Sequence, residues 1–138
     1  MKGIFIYFFI FSKIMYGYIN IYPSKFEKNI ENGVNEIFRL YNRTNKKVRY
    51  RVYLEETIEN DMSKWIEVYP KSITLNPLEE KEINIFINPP KDTRNGKYKS
   101  KLVVKEIDIP GGEKHETVKF MTIFKLNMIG YIGENKWK

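Results

Sequence analysis

The sequence contains a single histidine, His115, between Glu113 and Glu116, and any acid–base or metal chemistry would have to start there. A metal site needs further ligands at a defined spacing, and there is no second His and no Cys to provide them. His115 stands in a Gly-rich loop and reads as a solvated residue. The runs "LEET" (54–57) and "LEEKE" (78–82) gather carboxylates, but on strands and turns such neighbours face water. No Gly-x-Ser-x-Gly elbow, phosphate-cradling glycine loop or dinucleotide fingerprint occurs. Without a nucleophile beside a base, the sequence predicts a non-enzyme, with no catalytic residue, no metal, no cofactor and no small-molecule substrate.

Arg49 and Arg51, with Tyr50 and Tyr53, come nearest to a nucleic-acid surface. Strand alternation puts Tyr50 on the face opposite the arginines, so no stacking platform forms and no nucleic-acid partner is expected. The net charge of +7 would argue otherwise only if the cations gathered on one face. Along the chain they alternate with Glu, Asp and apolar residues, so no basic cluster is predicted. Tyr53, Tyr69 and Trp137 are scattered, which argues against a carbohydrate-binding face. "NRT" at 42–44 fits the acceptor pattern for N-glycosylation.

The elements that must position these residues are short strands, because beyond Gly17 the apolar period is two. "INIYPSKF" (19–26) is extended but broken by Pro23, which denies the ladder an N–H and suits an edge strand that bends or switches sheets. "NEIFRLYN" (35–42) places Phe38 and Leu40 on one face. "VRYRVYL" (48–54) points Val48, Tyr50, Val52 and Leu54 inward and Arg49, Arg51 and Tyr53 outward. "EETIENDMSKW" (55–65) reads as a loop with one helical turn. Four strands follow, "WIEVYP", "SITLNP", "EINIFINPP" and "KYKSKLVVKEI". A hairpin loop "DIPGGEKHE", turned by Gly111 and Gly112, leads into "TVKFMTIFKLNMIGYIG" (117–133), the last and longest strand.

Roughly seven short strands with turn signals every eight to twelve residues predict an all-β, immunoglobulin-like seven-stranded β-sandwich. Tyr98 in "NGKY" opens the penultimate strand, where the tyrosine corner of such sandwiches bonds back to the preceding backbone; an ordinary core aromatic is the alternative. The 138 residues suit one domain, and with no Cys its core must hold without disulfides. Abundant Lys, Ile and Asn beside a complete lack of Ala and Gln points to an AT-rich coding sequence.

The first residues differ from the rest. Lys2 precedes an apolar run from Gly3 to Phe11, then polar and small residues reach Gly17. The run is about half a membrane span, so residues 1–17 are expected to be a signal-peptide helix, a buried first strand or a misassigned start codon being the alternatives. That leaves a domain over 18–133, a charged tail over 134–138, and export to the periplasm or cell envelope of a bacterium.

The last strand is the anomaly. One face carries Val118, Phe120, Thr122, Phe124, Leu126 and Met128, and the other has Met121, Ile123 and Ile129 between Lys119, Lys125 and Asn127. A strand with one face on the core should be polar on the other unless something meets it. The candidates are an added partner strand, a second domain, another copy of the chain or the chain's own tail.

The order "YPSKFE … RLYNRTNKKVRYRVYL … WIEVYPKSITLNPLEEKEINIFINPP … NGKYKSKLVV … IFKLNMIGYIG" resembles the amino-terminal immunoglobulin-like domain of PapD-like pilus-assembly chaperones, and more loosely the wider PapD-like superfamily. The likeness covers 19–133 and lies in pattern: a strand ending in Asn42, a Pro-flanked strand at 70–77, a strand ending in Pro, and Gly-x-Tyr. In that family a basic residue near the first strand and a Lys in the last strand anchor the carboxyl terminus of an incoming pilus subunit. The resemblance implies Lys25 and Lys125 in those roles, although the family has Arg at the first. It further implies that alternating apolar residues of the last strand complete the subunit. Family spacing selects Val118 and Phe120, whereas the inward and outward pattern selects Met121 and Ile123. Pilus chaperones have two such domains, and this chain has the length of one.

The reading is therefore a non-catalytic chaperone or assembly factor that binds a pilin-like or surface-protein subunit by β-strand addition through its last strand. A structural or adhesive envelope module holding a permanent partner on the same edge is the alternative, and a homodimer is a further option for that edge.

Overall fold

A computed structural model of the protein describes residues 19–110 and 121–133. The expectations for the signal helix at 1–17, the turn at Gly111 and Gly112, His115, Val118, Phe120 and the tail at 134–138 lie outside the described residues. The strands run β1 Ile19–Tyr22, β2 Phe26–Asn29, β3 Val34–Asn42, β4 Val48–Glu55, β5 Ile66–Tyr69, β6 Ser72–Leu75, β7 Glu80–Ile87, β8 Gly96–Ile107 and β9 Ile123–Ile132. The segment between β4 and β5 holds a single 3-10 turn, Ser63–Trp65. Described residues of the last strand begin at Ile123, and at 12 residues β8 is longer than β9 at 10, so the predicted ranking of these two is reversed among the described residues.

The strands form two sheets, ordered β1-β3-β7-β5 and β2-β9-β8-β4-β6. Nine segments stand for seven strands because two strands are each split between the sheets. β1 lies in the first sheet and β2 in the second, and the chain crosses at the cis Tyr22–Pro23 bond. β5 and β6 repeat the arrangement across the cis Tyr69–Pro70 bond. In both places Pro cannot donate to the ladder, so pairing stops and the chain can change partners. The result is an all-β immunoglobulin-like sandwich.

Alternate residues fill the space between the sheets. Phe38 and Leu40 of β3, Ile83, Ile85 and Ile87 of β7, and Leu102 and Val104 of β8 are wholly buried. Tyr50 and Val52 of β4 point inward as predicted, while Arg51 and Tyr53 face out. Burial of this kind contributes about 1.5–3 kcal/mol per large apolar side chain, which is how a chain without cysteine holds together.

Candidate functional site

The position where β2 enters its sheet decides the form of β9. β8 pairs with β9 along its whole length, from Lys105↔Ile123 to Gly96↔Ile132. On the other side β2 pairs in parallel only from Phe26↔Met128 to Asn29↔Tyr131. The chain leaves the other sheet at Tyr22, crosses over residues 23–25 and joins β9 only at Phe26, so it reaches β9 late. Among the described residues no strand covers Ile123–Asn127 on that side. Among the described residues half of β9 is thus a sheet edge without a partner strand, the arrangement that accepts an added strand.

Lys125 sits at the centre of this open stretch and is ion-paired to Glu55 Oε2 of β4 at 3.0 Å. Lys25 is exposed and directly precedes Phe26, whose register partner is Met128, so it enters the sheet at the end of the open stretch that holds Lys125. It borders a shallow groove with Tyr22, Pro23, Lys28 and Ile37. Met121 and Ile123 are exposed, 40% and 50%, and Phe124 and Leu126 pack on the core from the other face. Glu55 as the counter-ion of Lys125 was not legible in the sequence, since the two residues meet across β8.

Two polar groups fix the surrounding frame. Tyr98 Oη donates to the carbonyl oxygen of Arg94 at 2.7 Å, and the ring lies 4.8 Å from that of Trp65. Asn42 is fully buried and its Nδ2 donates to the carbonyls of Lys46, Leu75 and Asn76, joining the end of β3 to β6. An amide committed in this way is not presented to a glycosylating enzyme in the folded chain.

No protein-family model matches the chain, and no curated protein does. Solved structures do. The E. coli chaperone DraB superposes with a TM-score of 0.65 at 11% identity, over 82% of this chain and 54% of DraB. A chain of the Acinetobacter baumannii CsuC–CsuE chaperone–tip adhesion subunit pre-assembly complex gives 0.64 at 12%, over 83% and 57%. SSP-19, an MSP-domain-like protein of Caenorhabditis elegans, gives 0.60 at 14%, over 81% of this chain and 98% of its own. The fold is PapD-like. The chain spans just over half the length of the chaperones it matches and nearly the whole of SSP-19.

The two outer faces of this PapD-like sandwich carry opposite charge, which corrects the expectation that no basic cluster forms. Strand alternation itself gathers the cations: Lys97, Lys99, Lys101 and Lys105 share the outward side of β8. Arg49 and Arg51 of β4 and Lys125 of β9 stand on the same face by register. Among the described strand residues only Glu27 and Glu55 oppose them there. On the other outer face Arg39 faces Glu67, Glu80 and Glu82 and pairs with Glu82 at 3.4 Å. The signal was present as "KYKSKLVVK", four lysines at even spacing, but it acquires a face only once the segment is known to be a strand. Tyr53 and Tyr69 fall on opposite outer faces, as their separation in sequence suggested.

At the margin of the basic face, burial pushes the Asp61 carboxyl up. Hydrogen bonds from the hydroxyl and backbone N–H of Ser63 and the backbone N–H of Thr57, with nearby Lys64, outweigh this and hold it below its ordinary value. Among the described residues no group of three or more His, Cys, Asp or Glu side chains could hold a metal, and no helix is long and apolar enough to cross a membrane.

Proposed function

We propose that the protein is an exported, non-catalytic chaperone or assembly factor of the cell envelope that binds a pilin-like or surface-protein subunit by β-strand addition to β9. The observation that carries the reading is the open half of β9, Ile123–Asn127, with Lys25 at its margin and Lys125 at its centre. A strand added there gains backbone hydrogen bonds along the edge, the exposed Ile123 offers apolar contact, and a terminal carboxylate would meet Lys25 and, in exchange for Glu55, Lys125. Met121 and Ile123 are the residues offered to the subunit in this register, with Val118 and Phe120 extending the row if the strand continues toward them. The fold shared with DraB and with the CsuC–CsuE complex supports the reading.

The alternative, a structural envelope module with a permanent partner on the same edge, draws on the match that spans nearly all of the SSP-19 chain. The two readings separate in a pull-down of tagged 18–138 from the envelope fraction of the source cell, repeated with Lys25→Ala and Lys125→Ala. A small β-rich subunit whose recovery needs both lysines supports the chaperone. A partner indifferent to both changes, or none, overturns the carboxylate anchor and favours the structural module.

A further inference from the structure

We infer that the outer face of the five-stranded sheet is a docking surface for an anionic lipid bilayer, a role beyond strand addition at the β9 edge, with which it shares Lys125 and Ile123. On the other sheet and its borders cations meet carboxylates: Lys28 pairs with Glu36, Arg39 with Glu82 and Lys81 with Glu79. On this face Lys125 alone has a carboxylate partner, Glu55, among the ion pairs of the described residues. Arg51 and Lys105 are directly opposed in the β4–β8 ladder and both are exposed, an arrangement in which like charges repel. The fold tolerates the repulsion, and an anionic surface would relieve it.

The geometry selects the kind of anion. The cations spread over three adjacent strands, about 4.8 Å apart across the sheet and about 6.7 Å apart along each strand, so they form a two-dimensional array. A linear acidic chain would meet one row and leave the rest unpaired. Most are lysines, point charges suited to a diffuse layer of phosphates, whereas bidentate recognition of a single group uses Arg. Val103 points to this outer face and is nevertheless wholly buried between Tyr53 and Lys125. The Lys125 stem, which reaches across β8 to Glu55, passes over it, as long cationic side chains cover apolar surface while keeping the charge in water. Half-exposed Ile123 and partly exposed Tyr53 give the face an apolar component of the kind that seats in a headgroup layer. Among the described residues Tyr53 is the one exposed aromatic of this face, too few for a stacking platform for nucleic acid.

The test is cosedimentation of the full chain with vesicles of phosphatidylglycerol and phosphatidylcholine, against phosphatidylcholine alone. The apolar run at 3–11 is common to every variant, so the face is read as the excess binding to anionic vesicles. The expected result is such an excess at about 50 mM salt that fades by about 300 mM. The paired change Arg51→Gln and Lys105→Gln should weaken it on the order of twentyfold, since each cation near an anionic surface contributes about fivefold. Arg51→Glu with Lys105→Glu should abolish it. Lys46→Gln with Lys91→Gln and Lys46→Glu with Lys91→Glu, matched in charge but placed in loops, should leave most of it. Equal partition onto both vesicle types, equal losses from face and loop variants, or tighter binding to duplex DNA at the same salt would each overturn the assignment.

Discussion

Asn42 shows what a single buried side chain holds in this fold. Its Oδ1 accepts from the backbone N–H and the hydroxyl of Thr44, while Nδ2 serves three carbonyls, so every polar atom of the side chain is occupied. Asn42→Ala leaves the carbonyls of Leu75 and Asn76 short of a partner and should cost about 2–4 kcal/mol, read as a lowered urea midpoint with an unchanged slope. Tyr50 gives the pH counterpart. Burial, and then the nearby charge of Glu106, push its phenol up to about 12 from an ordinary value of 10.0. A group raised on folding stabilises fully below its unfolded value and loses that contribution as pH rises through the folded one. Unfolding titrations should therefore show stability falling between about pH 10 and pH 12, and Tyr50→Phe should flatten that fall. Tyr131, raised chiefly by its hydrogen bond to Glu27, adds in the same direction. The inward aim of Tyr50 was legible from alternation alone. The role of Asn42 was not, because its partners Leu75 and Asn76 lie more than thirty positions away.

β9 depends on Gly130 for its fit. A Cβ there would stand 2.6 Å from Ile30 Cδ1 and 3.0 Å from Met62 Sδ, on the side where the end of β2 closes over the core. Ile30 N–H also donates to the Tyr131 carbonyl at 2.8 Å, which limits how far the chain can retreat. Gly130→Ala should destabilise the domain by about 1–3 kcal/mol through overpacking, measured by thermal or urea unfolding. The same strand should exchange its amides unevenly. Alternate N–H groups within Ile123–Asn127 face away from β8 and should exchange much faster than those of Met128–Tyr131, where β2 covers the edge. A bound partner strand should remove the difference. The strands themselves could be read from period two, and Pro23 marked the change of sheet. How much of β9 stays open could not, since it depends on where β2 arrives.

At the scale of the molecule the fold class was legible because strand number, turn spacing and Gly-x-Tyr agree, whereas the charge polarity was not, because a linear sequence has no faces until register assigns them. That polarity and the open edge together decide whether the edge serves self-association. Two copies pairing antiparallel over the full open stretch Ile123–Asn127 must do so about its centre, which sets Ile123 opposite Asn127 and Lys125 opposite the Lys125 of the other copy. Directly opposed like charges disfavour an antiparallel pair, and a lysine at mid-edge is a device by which sheets resist pairing with themselves. The chain should therefore be a monomer in sedimentation equilibrium at micromolar concentration and low salt. Lys125→Val removes the repulsion while keeping strand propensity, and should produce a concentration-dependent dimer. A dimer of the unchanged chain at the same concentration would mean that the edge pairs in another register, and that Lys125 does not keep it free for a different partner.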